Sequence, residues 1–279
     1  MQIDMLDSDY FDGSHYGIHA IGDLQKYGPR GFYQRHITHE HSDFGNKSFD
    51  IGTACHELVL RGDEAYRSRV ITPPSTYPDT KTKKPKPWNG NATFCKEWKK
   101  DNSHKLILTL NEMIMIETMS ESVHDDPTAS EYFKHGHPEV GFRGKIDGLP
   151  VQCKADWIAT DENNKITAII DLKTCITLDD FLKSIHKYNY WRQAAHYTRV
   201  VANEIGRRVP FIFVAVEKNN PHRTGIYELD DDYIAEGDAM NKRDYKILGN
   251  YLESHGNRKP WPMEVKHIGC QTIEKPNWL

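Results

Sequence analysis

The stretch from residue 138 to residue 216 most constrains the fold, because strand and helix patterns follow one another there in a fixed order. Three segments alternate apolar and polar residues as half-buried strands do, namely 139–146, 151–159 and 165–174. A long helical segment over 178–205 follows, and Thr177 with Asp180 resembles a capping box at its start. The next segment, 209–216 (VPFIFVAV), is continuously apolar, which is typical of a strand buried on both faces. This order predicts an α/β fold, bordering on α+β, with a central mixed β-sheet flanked by helices.

The remainder of the chain is predicted to be mostly helical. Helical patterns cover 48–61, 108–124, 126–134 and 230–254, and Ser48 is a plausible cap for the first of them. The segment 72–92 is rich in proline and lysine and predicts an exposed, mobile loop. A chain of 279 residues can form one large domain. We therefore predict a single domain that consists of three parts: a helical, loop-rich part (1–137), a strand-rich core (138–218), and a C-terminal helix and tail (219–279).

Composition excludes several classes of protein. The net charge of −4 argues against a protein that coats nucleic acid through bulk positive charge. No two of the five cysteines have the spacing of a zinc or iron–sulfur site, so we expect free thiols in a reducing compartment at Cys55, Cys95, Cys153, Cys175 and Cys270. The chain has no apolar run of the about 18 residues that a membrane helix needs, and its acidic start lacks the apolar core of a signal peptide. We therefore expect a cytoplasmic protein without a membrane segment.

The strands at 151–159 and 165–174 carry a candidate catalytic group. Asp171 and Lys173 lie two residues apart and so project from the same strand face. If Asn163-Asn164 forms a tight hairpin turn, residue n pairs with residue 327 − n, and Asp156 lies directly opposite Asp171. Two carboxylates at about 4.5–5.5 Å between Cβ atoms repel each other. One lysine cannot balance both charges, so the pair predicts a divalent metal such as Mg²⁺.

The spacing alone also fits a surface hairpin with scattered charges, but the apolar residues before Asp171 place the pair at the end of a buried strand. Asp156, followed by Asp171-Leu172-Lys173 after a hydrophobic strand, resembles the PD-(D/E)xK nuclease motif, with Ala155 in place of its proline. Four further segments resemble the RecE-like (exonuclease VIII type) branch, which is related to RecB-type nuclease domains: IGTACHELVL at 51–60, HPEVGF at 137–142, YNYWRQAAHYT at 188–198 and the C-terminal tail. The resemblance implies a restriction-endonuclease-like core.

The resemblance also implies roles for individual residues. His56, Asp156, Asp171 and the backbone carbonyl of Leu172 would hold the metal, Mg²⁺ or Mn²⁺ as a substitute, and Lys173 would be the catalytic lysine. Glu139 could bind a second metal or position a water molecule.

Gln193 and Tyr197 would contact DNA or support the site. They lie four residues apart on one helix face, and His186 and Tyr190 extend the same stripe. Such a stripe also fits core packing.

Basic residues offer contacts for phosphate groups. Residues 81–105 contain eight lysines against two acidic residues, a net charge of +6, interleaved with Trp88, Phe94 and Trp98. Lysines of this kind can bind phosphates while the aromatic rings stack on unpaired bases, although a solvated loop has the same composition. Further candidates for phosphate contacts flank the strands: Arg143, Lys145 and Lys154.

The resemblance implies a metal-dependent exonuclease that digests linear double-stranded DNA in the 5′ to 3′ direction in phage-type recombination. It also implies a ring-shaped homo-oligomer and a single-strand annealing protein as partner. An endonuclease or a single-strand-specific nuclease on the same core is one alternative. A catalytically inactive DNA-binding scaffold is another, but the complete set of Asp156, Asp171 and Lys173 argues against it.

Overall fold

Helices make up most of the chain before the central sheet. The computed structural model describes residues 10, 13–40, 47–79, 82–256 and 260–263. The helices that precede the sheet are, in chain order, α1 (Ile18–Phe32), α2 (Lys47–His56), α3 (Gly62–Arg69), α4 (Thr93–Asp101), α5 (Leu110–Asp125) and α6 (Pro127–Phe133). Short π-helical turns, Tyr33–Ile37 and Glu57–Arg61, continue α1 and α2. No helix in these ranges is both long and apolar enough to cross a membrane.

Local capping explains where two of these helices begin. The Thr109 side chain accepts a hydrogen bond from the Glu112 N–H, and the Glu112 carboxylate accepts one from the Thr109 N–H, which completes a capping box for α5. The Asp126 carboxylate caps α6, and Pro127 takes the first helical position. The helices predicted at 108–124 and 126–134 are therefore confirmed. The predicted cap at Ser48 is wrong, because α2 has already begun at Lys47.

The segment predicted as a mobile loop contains regular structure. Strands β2 (Thr76–Pro78) and β3 (Pro85–Pro87) form an antiparallel hairpin inside it. Outside the segment, β1 (Val70–Ile71) pairs in parallel with β4 (Leu106–Ile107). Proline is tolerated in such short strands because few ladder hydrogen bonds need its missing N–H. The hairpin packs on α4 through aromatic rings, since Tyr77 stacks on Phe94 with centroids 6.2 Å apart.

A five-stranded mixed sheet forms the centre of the fold, as predicted. Its strands are β5 (Gly136–Ile146), β6 (Leu149–Thr160), β7 (Ile166–Cys175), β8 (Phe211–Glu217) and β9 (Thr224–Glu228), in that spatial order. Only β7 and β8 are parallel, because a helical crossover joins them. The edge strand β9 was not predicted, since it is short and half-exposed.

The crossover differs from the single helix predicted over 178–205. It consists of α7 (Leu178–Lys187) and α8 (Tyr190–Ile205), and Thr177 caps α7 by accepting a hydrogen bond from the Asp180 N–H. Asn189 interrupts the helical backbone with a left-handed φ of 56°. Asparagine tolerates this conformation better than most residues do. The last helix, α9 (Asp231–His255), lies within one residue of the segment predicted over 230–254.

The sheet is covered on both faces. One hydrophobic cluster joins β5, β6 and β8 to α1, α8 and α9, and it includes Ile21, Phe142, Val200, Phe213 and Tyr245. The other joins β7 and β8 to α2 and α5, and it includes Ala54, Ile116, Met119, Ile170 and Val214. Every residue of β8 is buried, which accounts for its continuous apolar sequence. The described cysteines Cys55, Cys95, Cys153 and Cys175 are free and buried, while Cys270 lies outside the described residues.

Candidate metal centre

The pairing of β6 with β7 sets the position of the two aspartates. Trp157 pairs with Ile170 and Ile158 with Ile169, which is the predicted register. The predicted two-residue turn at Asn163-Asn164 is wrong: the Asp161 N–H donates to the Lys165 carbonyl at 2.9 Å and so closes a three-residue loop. A β-bulge near Ala159 and Thr160 absorbs the extra residue and restores the register.

Beyond the last ladder pair, Asp156 contacts the β7 backbone. Its Oδ2 accepts a hydrogen bond from the Leu172 N–H at 2.9 Å. Asp171 is the more deeply buried carboxylate, with 2% of its surface exposed. Its Oδ1 accepts a hydrogen bond from the Gln193 amide at 2.8 Å, and its Oδ2 forms an ion pair with Lys173. The two carboxylates are thus held side by side near the middle of the neighbouring strands β6 and β7.

The electrostatics of the pair favour binding of a cation. Burial raises the pKa of Asp156 to about 6 against the opposing effect of Lys173, and the nearby Glu139 carboxylate adds to the rise. Burial likewise raises the pKa of Asp171 to about 6 although Lys173 lowers it, and Asp156 contributes to the rise. A bound cation would stabilise both charged forms.

Lys173 stays charged in this setting. Burial lowers its pKa, but the Asp171 and Asp156 carboxylates more than offset that effect, and its net pKa is raised. Its Nζ also lies 4.9 Å from the centroid of the Tyr190 ring, a cation–π geometry. The Tyr190 ring is therefore a second contact of the ammonium group besides the Asp171 carboxylate, and the two together give it a defined position.

His56 reaches the pair from α2, which packs on the sheet face opposite to that of α8. It ends α2, and its Nδ1 lies 3.6 Å from Asp156 Oδ2. Burial and the charge of Lys173 lower the pKa of His56, while the Leu172 carbonyl and the acidic residues oppose this effect. A neutral imidazole is the form that ligates metals. The structure thus brings together the four predicted ligand groups: His56, Asp156, Asp171 and the backbone of Leu172.

Glu139 lies at an irregular point of the sheet. Its φ of 52° is left-handed, an uncommon conformation for a residue other than glycine. The β5–β6 ladder skips it, since Pro138 pairs with Trp157 and Val140 with Ala155. Its Oε2 forms an ion pair with Lys154 Nζ at 2.6 Å. Lys154, predicted as a phosphate contact, is therefore engaged by a site carboxylate.

The donor set fits Mg²⁺. Asp171 Oδ2 is buried and contacts Lys173, but it accepts no hydrogen bond of good geometry from the described residues. Within the same residues, no three His, Cys, Asp or Glu side chains form a ready-made metal cage. Magnesium usually binds through one or two carboxylates and keeps several water molecules, so it needs no such cage.

The remaining predicted residues take different positions. Tyr197 is buried on α8, where its ring packs edge-on against Phe211 at 5.8 Å. The predicted stripe is interrupted at Asn189, so His186 leaves the site and bonds the Tyr233 hydroxyl instead. Arg143 donates to the Gln152 side chain at 3.1 Å.

Other predicted contacts lie on the surface. Lys145 is exposed on β5. Trp88 and Trp98 contact each other edge-on at 5.4 Å and are half-buried. Lys81 and all but the first three residues of the tail that resembles RecE-like proteins lie outside the described residues.

One nearby residue was missed in the sequence. His19 on α1 lies within electrostatic reach of Lys173 and Asp171, and it lines a cavity that also includes Gln193. Desolvation lowers its pKa, and Lys173 lowers it further against the effect of Asp171. No local pattern distinguishes it among 15 histidines, because its proximity depends on how α1 packs on α8.

Comparison with known proteins agrees with this geometry. No curated protein sequence matches the chain. Among solved structures, the fold is similar to that of an Eubacterium rectale protein described as a "Putative exonuclease", with a TM-score of 0.64 and 14% identity over 98% of this chain and 97% of the other. This likeness concerns the fold alone.

The profile of a family described as a PDDEXK-like domain of unknown function matches residues 33–263. That match confirms the predicted resemblance to the PD-(D/E)xK superfamily, whereas the narrower RecE-like assignment stays a prediction. Because the match spans most of the chain and includes both aspartates and the lysine, the chain belongs to this PDDEXK-like family.

Proposed function

We propose that this chain is a metal-dependent DNA exonuclease that hydrolyses linear double-stranded DNA in the 5′ to 3′ direction. The observation that carries the proposal is the meeting of Asp156, Asp171 and Lys173 on the neighbouring strands β6 and β7. Membership of a PDDEXK-like family supports it, and so does the similar fold of the protein described as a "Putative exonuclease".

Each side chain has a role that follows from its contacts. A divalent ion, Mg²⁺ or Mn²⁺, would neutralise charge at the phosphate and lower the pKa of an attacking water molecule. Asp156, Asp171 and the Leu172 carbonyl would hold it, with His56 as a further ligand. Lys173 would orient the water or stabilise the developing negative charge. Gln193 would be a positioning residue, because it fixes one oxygen of Asp171.

The hairpin β2–β3 and α4 form a basic surface that we assign to duplex binding. We call residues 76–101 the basic unit. Its exposed lysines are Lys83, Lys84, Lys86, Lys96, Lys99 and Lys100. Its aromatic rings pack on one another, so the contribution to DNA binding that we propose is electrostatic and does not involve base stacking.

The resemblance to RecE-like proteins extends the proposal to partners. It suggests a cytoplasmic ring of identical chains that encloses the duplex and works with a single-strand annealing protein during recombination. Light scattering on the chain with and without linear duplex DNA would test the ring, since a constant monomer mass would contradict it.

The first prediction concerns Lys173. We expect Lys173→Met to reduce hydrolysis of linear duplex DNA by about 10²–10³-fold, the usual loss when one group that stabilises developing charge is removed. The matched control is Lys165→Met, an exposed lysine in the turn of the same hairpin. The measurement is the release of labelled nucleotides with Mg²⁺. Equal rates for the two variants, or full activity in Asp171→Ala, would refute the site assignment.

The second prediction separates the alternative functions by substrate. We expect the wild-type chain to degrade 5′-labelled linear duplex from the labelled end and to leave covalently closed circles intact. Cleavage of circles would indicate an endonuclease, and a preference for single strands would indicate a single-strand-specific nuclease. DNA binding without turnover in Mg²⁺ or Mn²⁺ would favour the inactive scaffold.

The third prediction concerns the basic unit. Replacing Lys84, Lys96 and Lys100 by alanine should weaken duplex binding and reduce the slope of log Kd against log salt by up to about 3, because each phosphate contact contributes about 0.9. The control is Lys246→Ala, an exposed lysine on α9. An unchanged slope in the triple variant would show that this surface does not meet DNA.

The fourth prediction uses the raised carboxylate pKa values. In the metal-free chain, the unfolded state releases its protons at a lower pH than the folded state, so these groups destabilise the fold as pH rises from about 4 to about 6. The free energy of unfolding of the wild type, relative to Asp171→Asn, should therefore fall by about 2 kcal/mol over that range. Urea titration measures the difference. A difference that grows with pH would contradict the assignment.

A further inference from the structure

A cavity of about 380 Å³ opens beside the catalytic residues, on the side of the break between α7 and α8. Its walls come from the end of β7, from α7, from the start of α8 and from Lys218 after β8. Thr174 and Tyr190 belong to this lining. Since Thr174 follows Lys173 directly and Tyr190 carries the lysine ammonium on its ring, the cavity begins at the proposed site of hydrolysis.

Aromatic rings lead from the catalytic lysine towards solvent. The Tyr188 and Tyr190 rings lie 5.7 Å apart at an angle of 38°. The Tyr190 ring packs against the core rings of Phe181 and Phe213, whereas Tyr188 is 55% exposed. Tyr188 thus exposes aromatic surface to solvent, of the kind on which a nucleic-acid base can stack.

The charge of the lining matches a polyanion. Three lysines line the cavity, Lys183, Lys187 and Lys218, against the single acidic residue Asp180. Lys183 lies 3.7 Å from Asp180, and the Lys187 ammonium lies 5.1 Å from the Tyr188 ring centroid. A net positive cavity wall beside an exposed ring combines the two features that bind single strands without sequence preference.

The local fold explains why Tyr188 is exposed. The helical backbone is interrupted at Asn189, so Tyr188 follows the last turn of α7 and Tyr190 begins α8. An uninterrupted helix would need no left-handed residue here, yet Asn189 adopts a φ of 56°. The interruption therefore separates the two tyrosines. Tyr190 points inward and contacts Lys173. Tyr188 points outward, and among the described aromatic pairs its ring contacts only that of Tyr190.

We propose that this cavity binds the unpaired end of the DNA strand, with one base stacked on Tyr188 and the adjoining phosphates on Lys187 and Lys218. This assignment rests on the proposed nuclease function and specifies a substrate feature that the function alone leaves open. The strand next to the scissile phosphate is single-stranded for at least one nucleotide, and its base leaves the duplex to reach the ring.

The test measures base stacking in the full-length chain without hydrolysis. Single-stranded oligo(dT) that carries one 2-aminopurine at successive positions is titrated with protein in EDTA, and fluorescence reports stacking. We expect quenching at one position near an end of the oligonucleotide. Tyr188→Ala should abolish that quenching and weaken binding by about 5- to 150-fold, the range for loss of one base–aromatic stack. Tyr188→Trp should keep both signals.

A matched control is available on α1. Tyr27 is 40% exposed and has the ammonium group of Lys26 4.8 Å from its ring centroid, yet it does not line this cavity. Tyr27→Ala should therefore bind and quench as the wild type does. Equal behaviour of Tyr188→Ala and Tyr27→Ala would overturn the proposal, and so would the absence of quenching in the wild type. Quenching without hydrolysis of DNA in Mg²⁺ would support the subsite and refute only the nuclease function.

Discussion

The burial of the Asp171 carboxylate is the constraint on which the rest of the site depends. β7 packs against helices on both faces, so a charge at its centre loses nearly all contact with water. An isolated buried carboxylate is costly, and the chain offsets that cost with the ion pair to Lys173 and the amide of Gln193. Gln193 in turn ties α8 to β7, and Lys173 meets the ring of Tyr190 at the start of α8.

The irregular backbone around Asp156 follows from the same constraint. In a regular antiparallel ladder, Glu139, Asp156 and Asp171 would occupy one row of three adjacent strands, and like charges in such a row repel. The ladder instead skips Glu139 and Asp156, and Glu139 takes a left-handed φ that lets its carboxylate reach Lys154. The freed Leu172 N–H then binds Asp156. Backbone strain of this kind is characteristic of sites that bind a ligand, because contacts with the ligand replace the hydrogen bonds that the strands lose.

Local patterns were sufficient to predict four of the five strands of the sheet, but not the edge strand β9 or the contacts between distant segments. The register of β6 and β7 was predicted from an assumed two-residue turn that is wrong, and it holds because a bulge at Ala159 and Thr160 compensates for the longer loop. The break at Asn189 could not be predicted from helical periodicity, since a single left-handed residue leaves the pattern of apolar positions on both sides nearly unchanged. His19 could not be predicted either, because only the packing of α1 against the sheet brings it near Lys173.

The distribution of charge shows how a chain with a net charge of −4 can present a surface suited to DNA. Residues 81–105 carry a net charge of +6 and 225–240 a net charge of −6, so the total reflects cancellation between separate surfaces. Exposed charges farther apart than about 10 Å are largely screened at ordinary ionic strength. A phosphate near the basic unit or the cavity at Tyr188 therefore responds most strongly to the lysines around it. Net charge is consequently a poor guide to nucleic-acid binding in a chain whose acidic and basic residues are segregated.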